Sequence, residues 1–568
     1  ENIIEIASFK DENQPNLDYL KQYSVSNYRK PEPFWTFESI IKTTEDGFVY
    51  AQTKEGAEKE LSLLISYVGD AEEATLPERL NNREYTLRQR AFAGTRVNKV
   101  ILPGTFTSIP AEAFSGSTIE TIEFGPSVVR IEEDAFNNCA DLINVNYTGT
   151  IADWCNSEFG SDSGNPLSYA ENLFVSGERI SDLVIPEGVE NINKFAFNGY
   201  RFNSLTLPAT LKTIGGSAFT YFEKLNYTGN IGSWCNIEFN YNPLTTIKVL
   251  YINNNLVTDL IVEGTEKISA KAFKGALFDG VTIKSSVKYI ESSAFENVTA
   301  KTLTIENGIT SIGAQAFKSA TFENTKKLVL PSTLTTIADE AFSGVLLDEV
   351  TFNEGLTKIG SNAFTGTNLT QAIFPSTLTE IGSDAFSGLN LTNVEFGNSL
   401  KTIGGYAFYN TKISNLVLPD GIEKIERAAF ASITTLTSVT INGTGTFFAT
   451  DVFFGDDAIT TLNFNGTASE WAGNEFESET ANPLYFAKKL YLGGTLAKNI
   501  VIENVTAVGS YAFVNAELET VELKGIESVK CGAFKNVTLL TEIIVPEGAK
   551  NVEDNAFDII LTLNAAVL

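Results

Sequence analysis

The chain has 568 residues, 43% hydrophobic and 20% charged, enough apolar material for a large core. Its net charge of -29, from 41 basic and 70 acidic residues, repels nucleic acid and anionic lipid at long range, and no apolar run approaches the roughly 18 residues of a membrane helix. With no histidine it lacks the commonest general base and transition-metal ligand; no Gly-x-x-x-x-Gly-Lys-Thr/Ser or Gly-x-Ser-x-Gly motif occurs either, so catalysis and cofactor binding are not expected.

In chain order, residues 1–35 are a polar, aperiodic N-terminal segment with Pro15, Pro31 and Pro33. The chain starts at Glu1 and contains no Met, which is the expectation for a longer precursor cut after loss of a secretion signal. Residues 36–90 alternate as strands do (Gly47-Phe48-Val49-Tyr50) without a full repeat, and are expected to be an N-terminal cap.

Residues 91–557 are repetitive. Ala-Phe pairs end at Phe92, Phe114, Phe136, Phe197, Phe219, Phe273, Phe295, Phe317, Phe342, Phe364, Phe386, Phe408, Phe430, Phe513, Phe534 and Phe557, mostly 22 residues apart, with 21, 23 and 25 as variants. That period predicts a β-rich solenoid with a parallel sheet and little helix. One unit reads Lys327-Leu328-Val329-Leu330-Pro331, then Leu334-Thr335-Thr336-Ile337, then Ala341-Phe342. The first segment alternates with period two, a short strand with one face buried. The second adds two inward residues. Ala stands where neighbouring backbones approach, and Phe fills the interior. Stacked coils place like on like at about 4.8 Å, so the phenylalanines are expected to form one column along the array.

Three intervals are longer. They hold related inserts near 146–180, 226–256 and 465–495, carrying Trp154, Trp234 and Trp471, each followed by Asn-Pro-Leu at 165–167, 242–244 and 482–484. Each is read as an enlarged turn with a buried tryptophan, followed by a hairpin. Residues 558–568 read as a truncated last strand whose open edge would seek a partner.

Nineteen strand cores align from Lys99-Val100-Ile101-Leu102 to Glu542-Ile543-Ile544-Val545, with the second and fourth residues inward and the third outward. The outward positions define a candidate binding strip: Ile261, Thr282, Thr304, Val329, Thr351, Ile373, Glu395, Val417 and Thr440. It is weakly apolar, with no aromatic cluster and few charges, as strand propensity or a contact surface would require. Nine Asn-x-Thr sequons, at Asn146, Asn226, Asn297, Asn368, Asn390, Asn442, Asn465, Asn504 and Asn536, are glycosylation candidates; turn chemistry is the competing account. Cys139, Cys155, Cys235 and Cys531 show no metal-binding spacing. The acidic runs Glu132-Glu133-Asp134 and Asp456-Asp457 match no calcium loop and read as solvated turns.

The recurring Leu-x-x-Val/Ile-x-Leu-Pro, Leu-x-x-Ile-Gly and Ala-Phe pattern resembles the BspA-like leucine-rich repeats of microbial surface proteins, over roughly residues 75–557. The resemblance implies a right-handed coil and an extracellular or cell-surface scaffold for protein binding or adhesion. It implies no catalytic residues and no cofactor. The expected partner is a protein or glycan on another cell or matrix, with no nucleic acid and no direct membrane insertion. The alternative is a structural protein that self-assembles into a layer or filament through its ends or exposed sheet. If the phenylalanines form the core, Phe364→Ala should cost about 3–5 kcal/mol, read as a large drop in melting temperature; a melt matching the parent's would refute the column.

Overall fold

The computed structural model describes residues 39–53, 62–546, 548–558 and 565–567. The polar segment at 1–35 lies outside them, as do parts of the expected cap and of the apolar terminus. The chain divides into two compact units, Glu1–Thr228 and Gly229–Leu568. Each is a parallel β-solenoid in which helices are few and short.

A typical coil contributes two short strands. Glu349–Thr351 points Val350 inward, and Lys358–Ile359 points Ile359 inward. Strands this short cannot persist alone. Each pairs with its counterpart in the neighbouring coil, Leu328 against Val350 and Ile337 against Ile359. In the second unit these second strands form one parallel ladder of ten, from Lys267–Ile268 to Glu475–Phe476. Lysines and glutamates also repeat coil to coil, as in Lys358–Glu380 at 2.8 Å and Lys274–Glu296 at 2.8 Å. These pairs lie at the surface and each stabilises little.

The Ala-Phe turn has a fixed backbone signature. The residue before Ala is left-handed, with φ of 56° at Asn362, 55° at Asp384 and 57° at Tyr406. So is the second residue after Phe: Gly366 at 76°, Gly388 at 72° and Asn410 at 52°. Glycine and asparagine tolerate that region best, which accounts for their recurrence there. In this geometry the Phe N–H donates to the Ala carbonyl one coil on, Phe364 to Ala385 at 3.0 Å and Phe386 to Ala407 at 2.9 Å.

The rings follow the backbone. From Phe273 to Phe453 successive phenylalanines stack at 5.1–5.9 Å with interplanar angles of 19° or less. A second column, Phe352, Phe374 and Phe396, runs beside it at 5.3 and 5.7 Å and meets the first edge-on. In the first unit Tyr67, Phe92, Phe114 and Phe136 stack, as do Phe197 and Phe219, and Trp154 lies 6.4 Å from Phe197. The expectation of one unbroken column is therefore corrected: within the two units the phenylalanine stack is interrupted at the first and third inserts.

The inserts are not enlarged turns. The first and third are coils of the solenoid in their own right. Asn144–Tyr147 and Glu158–Phe159 pair in parallel with the preceding coil, as do Thr461–Phe464 and Glu475–Phe476. A short capped helix, Ile151–Asn156 or Ala468–Ala472, joins the two strands, closed by the capping boxes of Thr150 with Asp153 and Thr467 with Glu470. All three tryptophans are fully buried. Their indole N–H groups donate to Ala196, Ala272 and Ala512 carbonyls at 2.6, 2.8 and 2.7 Å. The amides of Asn165, Asn242 and Asn482 donate to the same carbonyls. Elsewhere a Phe N–H fills that role; a coil lacking Ala-Phe supplies donors from side chains instead.

A two-residue hairpin follows each insert: Asn172–Val175 with Glu178–Arg179, Tyr251–Ile252 with Asn255–Leu256, and Leu490–Leu492 with Thr495–Leu496. Both turn residues have positive φ in every case, the geometry that matches strand twist. Near the start, Ser39–Thr43, Phe48–Thr53 and Ser62–Tyr67 form an antiparallel meander that hands over to parallel pairing through Leu63 and Thr86. Ala565–Val567 adds a parallel strand beside Glu542–Ile544.

Close approach favours glycine after the Leu-x-x-Ile segment where successive coils both carry it, as at Gly360, Gly382 and Gly404. A Cβ on Gly382 would lie 2.5 Å from backbone atoms of Gly360 and Ser361, and one on Gly404 2.4 Å from Ser383. Gly382→Ala should therefore destabilise by about 1–3 kcal/mol, seen as a lowered denaturation midpoint; an unchanged midpoint would show that the coils can spread without cost.

Candidate binding surface

Alternation along the strands decides what faces outward. In Asp259–Val262 and Asn415–Leu418 the second and fourth residues are buried and the third is exposed. Of the nine strip residues, Ile261, Thr304, Val329, Thr351, Ile373, Glu395 and Val417 are exposed, and Thr282 and Thr440 are half-buried. The large apolar members are unusually open for a folded protein: Val329 at 62%, Val417 at 51%, Ile373 at 49% and Ile261 at 46%. The structure joins them in register as Ile261, Thr282 and Thr304; Val329 and Thr351; Ile373 and Glu395; Val417 and Thr440. These lie on four ladder segments rather than one continuous sheet. Beside Val329 an open depression of about 520 Å³ is lined by Ile305, Glu306, Pro331 and Asn353. The charges bordering the strip are partly spent on one another, as in Lys327–Glu349 at 2.6 Å.

Sequence reasoning missed three outward aromatics. Phe174, Tyr251 and Tyr491 occupy the same strand face on the hairpins and are half-buried. In register, Phe174 lies beside Asn146 and Tyr491 beside Asn463. The signal was present in Leu173-Phe174-Val175 and Leu490-Tyr491-Leu492, whose alternation continues the strand face beyond the insert.

The sequons divide by exposure. Asn297, Asn368, Asn390, Asn465 and Asn504 are exposed, Asn146, Asn442 and Asn536 half-buried, and Asn226 buried. Asn297, Asn504 and Asn536 have φ of 57°, 65° and 59°, so the turn itself accounts for asparagine at these three. The four cysteines are free thiols, with Cys139, Cys155 and Cys235 buried. Burial pushes the Cys139 thiol up to about 11 and those of Cys155 and Cys235 higher still, so none of these three is a thiolate near neutral pH. Among the described residues no three metal-ligating side chains converge, and no helix is long and apolar enough to cross a membrane.

A family model described as BspA type Leucine rich repeat region matches residues 74–166, 167–258, 249–370, 357–482 and 491–567. Among solved structures, the chain is similar to a leucine-rich repeat protein from Bacteroides ovatus, with 16% identity over 93% of each chain and a TM-score of 0.24. It is similar to a leucine rich cell surface protein from Faecalibacterium prausnitzii, with 16% identity over 93% of this chain and 94% of that one and a TM-score of 0.18. For the pneumococcal vaccine antigen PcpA the values are 16% identity, 85% and 93% coverage, and a TM-score of 0.25. No curated protein matches this chain.

One acidic residue departs from the solvated-turn reading. Asp456 is fully buried, three residues after Phe453, at the inward position where Thr367 and Thr411 bond back to the carbonyls of Phe364 and Phe408. One oxygen accepts from the Ile433 N–H at 2.6 Å; the other has no hydrogen-bond partner. Burial, with a smaller push from Asp457, raises its carboxyl from 3.8 to about 9 against the lowering effect of the Ile433 bond. At neutral pH the folded chain thus holds a proton that the unfolded chain has lost. The stability this contributes is complete below pH 3.8 and is lost as pH rises towards about 9, at up to about 1.4 kcal/mol per pH unit. Asp456→Thr should therefore gain in melting temperature over the parent at pH 8 relative to pH 5; an offset independent of pH would contradict the buried proton.

Proposed function

The chain belongs to the BspA-type leucine-rich-repeat family, and from that premise we propose that it is a non-catalytic scaffold, displayed outside the cell, that holds a partner protein against its open parallel sheet. The observation that carries this reading is the exposure of Ile261, Val329, Ile373 and Val417 on short strands fixed by coil-to-coil pairing. Side chains held that rigidly lose little conformational freedom on contact, while their apolar area still yields about 25 cal/mol per Å² when covered. The intervening threonines and Glu395 keep the surface soluble and offer hydrogen bonds. A flat, extended and weakly apolar strip suits another protein better than a small molecule, which needs an enclosed pocket. An extracellular location accords with the surface-protein character implied by the repeat family, and adhesion to a host or neighbouring cell is the use we assign to the strip.

The test is binding of the described chain to an array of matrix proteins and to intact cells. Replacing Val329, Ile373 and Val417 together with lysine should leave the fold intact and weaken capture by about ten-fold or more. If the triple variant binds as the parent does, the strip is not the contact surface. If no target binds while light scattering reports filaments, self-assembly replaces adhesion as the function.

A further inference from the structure

The tryptophan and Asn-Pro-Leu residues of the inserts are committed to the core, but the outward aromatic beside the first of them, Phe174, has no comparable structural task. Ordinary coils place Val, Ile, Thr or Glu at the outward strand position. Asparagine stands there three times, at Asn146, Asn226 and Asn463, and each time the next outward strand residue in the chain is aromatic: Phe174, Tyr251 or Tyr491. In the first unit this produces a row across four adjacent strands, with Glu123 beside Asn146, Asn146 beside Phe174 and Phe174 beside Arg179. At strand spacing the row is about 14 Å long. Glu123, Asn146 and Phe174 are half-buried and Arg179 is exposed. Among the described residues, no side-chain hydrogen bond or ion pair engages Glu123, Asn146 or Arg179, and no other ring packs on Phe174.

We propose that this row is a carbohydrate site that takes a neutral, linear oligosaccharide across the strands. A pyranose has an apolar C–H face and a rim of hydroxyls. The Phe174 ring offers an electron-rich face for the C–H groups. Asn146 supplies a donor and an acceptor side by side, Glu123 supplies acceptors and Arg179 donors, which together match hydroxyls that both give and take hydrogen bonds. An acid, Glu123, ends the row on one side and a base, Arg179, on the other, so the row carries no net charge and favours neither an anion nor a cation. The length accommodates more than one sugar ring. In the second unit Thr440, Asn463, Tyr491 and Leu496 are in register and keep the amide and the aromatic without the charged pair, so that row binds more weakly.

The competing account is that Phe174 only stiffens its hairpin through the cross-strand pair with Arg179. Fully N-acetylated chitohexaose, cellohexaose and mannohexaose, titrated into the chain by calorimetry and followed by saturation-transfer NMR, separate the two. At least one should bind, with transfer strongest to ring C–H protons. Phe174→Val, which installs the residue ordinary coils use, should weaken that binding about ten-fold or more without moving the melting temperature, and Tyr491→Val should have a smaller effect. The proposal is overturned if none of the three sugars binds at millimolar concentration, if Phe174→Val binds as the parent does, or if its loss of binding is matched by a loss of stability. It rests on the preceding section only in taking the open sheet as a contact face. Sugar binding that survives in the triple lysine variant while protein capture never appears would sink that reading and leave this one standing.

Discussion

The fold depends on a single backbone contact made over and over: the N–H of the core phenylalanine donating to the alanine carbonyl of the next coil, as from Phe364 to Ala385 and Phe386 to Ala407. A buried peptide group without a partner is costly, so every coil must present the same donor and acceptor at the same height. That requirement explains why the residue before Ala is left-handed, why Ala is small and why ring stacks on ring. It also explains why Gly360, Gly382 and Gly404 follow one another where adjacent backbones nearly touch. Variation is pushed outward, to side chains that no neighbouring coil has to match.

The insert coils meet the same requirement by other means. Having no Ala-Phe pair, they offer the next coil an indole N–H and a carboxamide in its place, and Trp154, Trp234 and Trp471 do this with Asn165, Asn242 and Asn482. The tryptophan therefore both fills volume and satisfies a carbonyl, which is why it recurs with Asn-Pro-Leu as a set. The hairpins that follow close off one ladder of outward strands before the next begins, so they sit where the outer surface changes character. That position leaves Phe174 and Tyr491 half-open to solvent.

Much of this was legible from the residues. The period, the inward and outward alternation, the hairpins and the burial of the tryptophans all follow from local patterns that tertiary packing reinforces. What escaped did so for identifiable reasons. Phe453 is preceded by Val452, so a search for Ala-Phe passes over it although its ring stacks on Phe430. The insert coils lost their marker dipeptide and so looked like turns. Phe352, Phe374 and Phe396 stand where most other coils have Leu or Ile, and nothing short of stacking reveals that they touch. Asp456 reads as half of a solvated acidic pair, and only its distance from Phe453 places it inside. The outward aromatics were hidden by ending the strand face at the inserts. In the candidate strip, the sequence indicated which residues face outward but not how the sheet is segmented.

The ten-stranded ladder of the second unit carries a mechanical consequence. Each rung is two residues wide, and each coil is fastened only to its two neighbours. Under tension between the ends of that unit, rungs would part in succession rather than together, each freed coil of about 22 residues letting out roughly 70 Å of slack. An array that gives way one coil at a time lets tension fall at every step, where a singly cooperative domain of the same size would yield all at once.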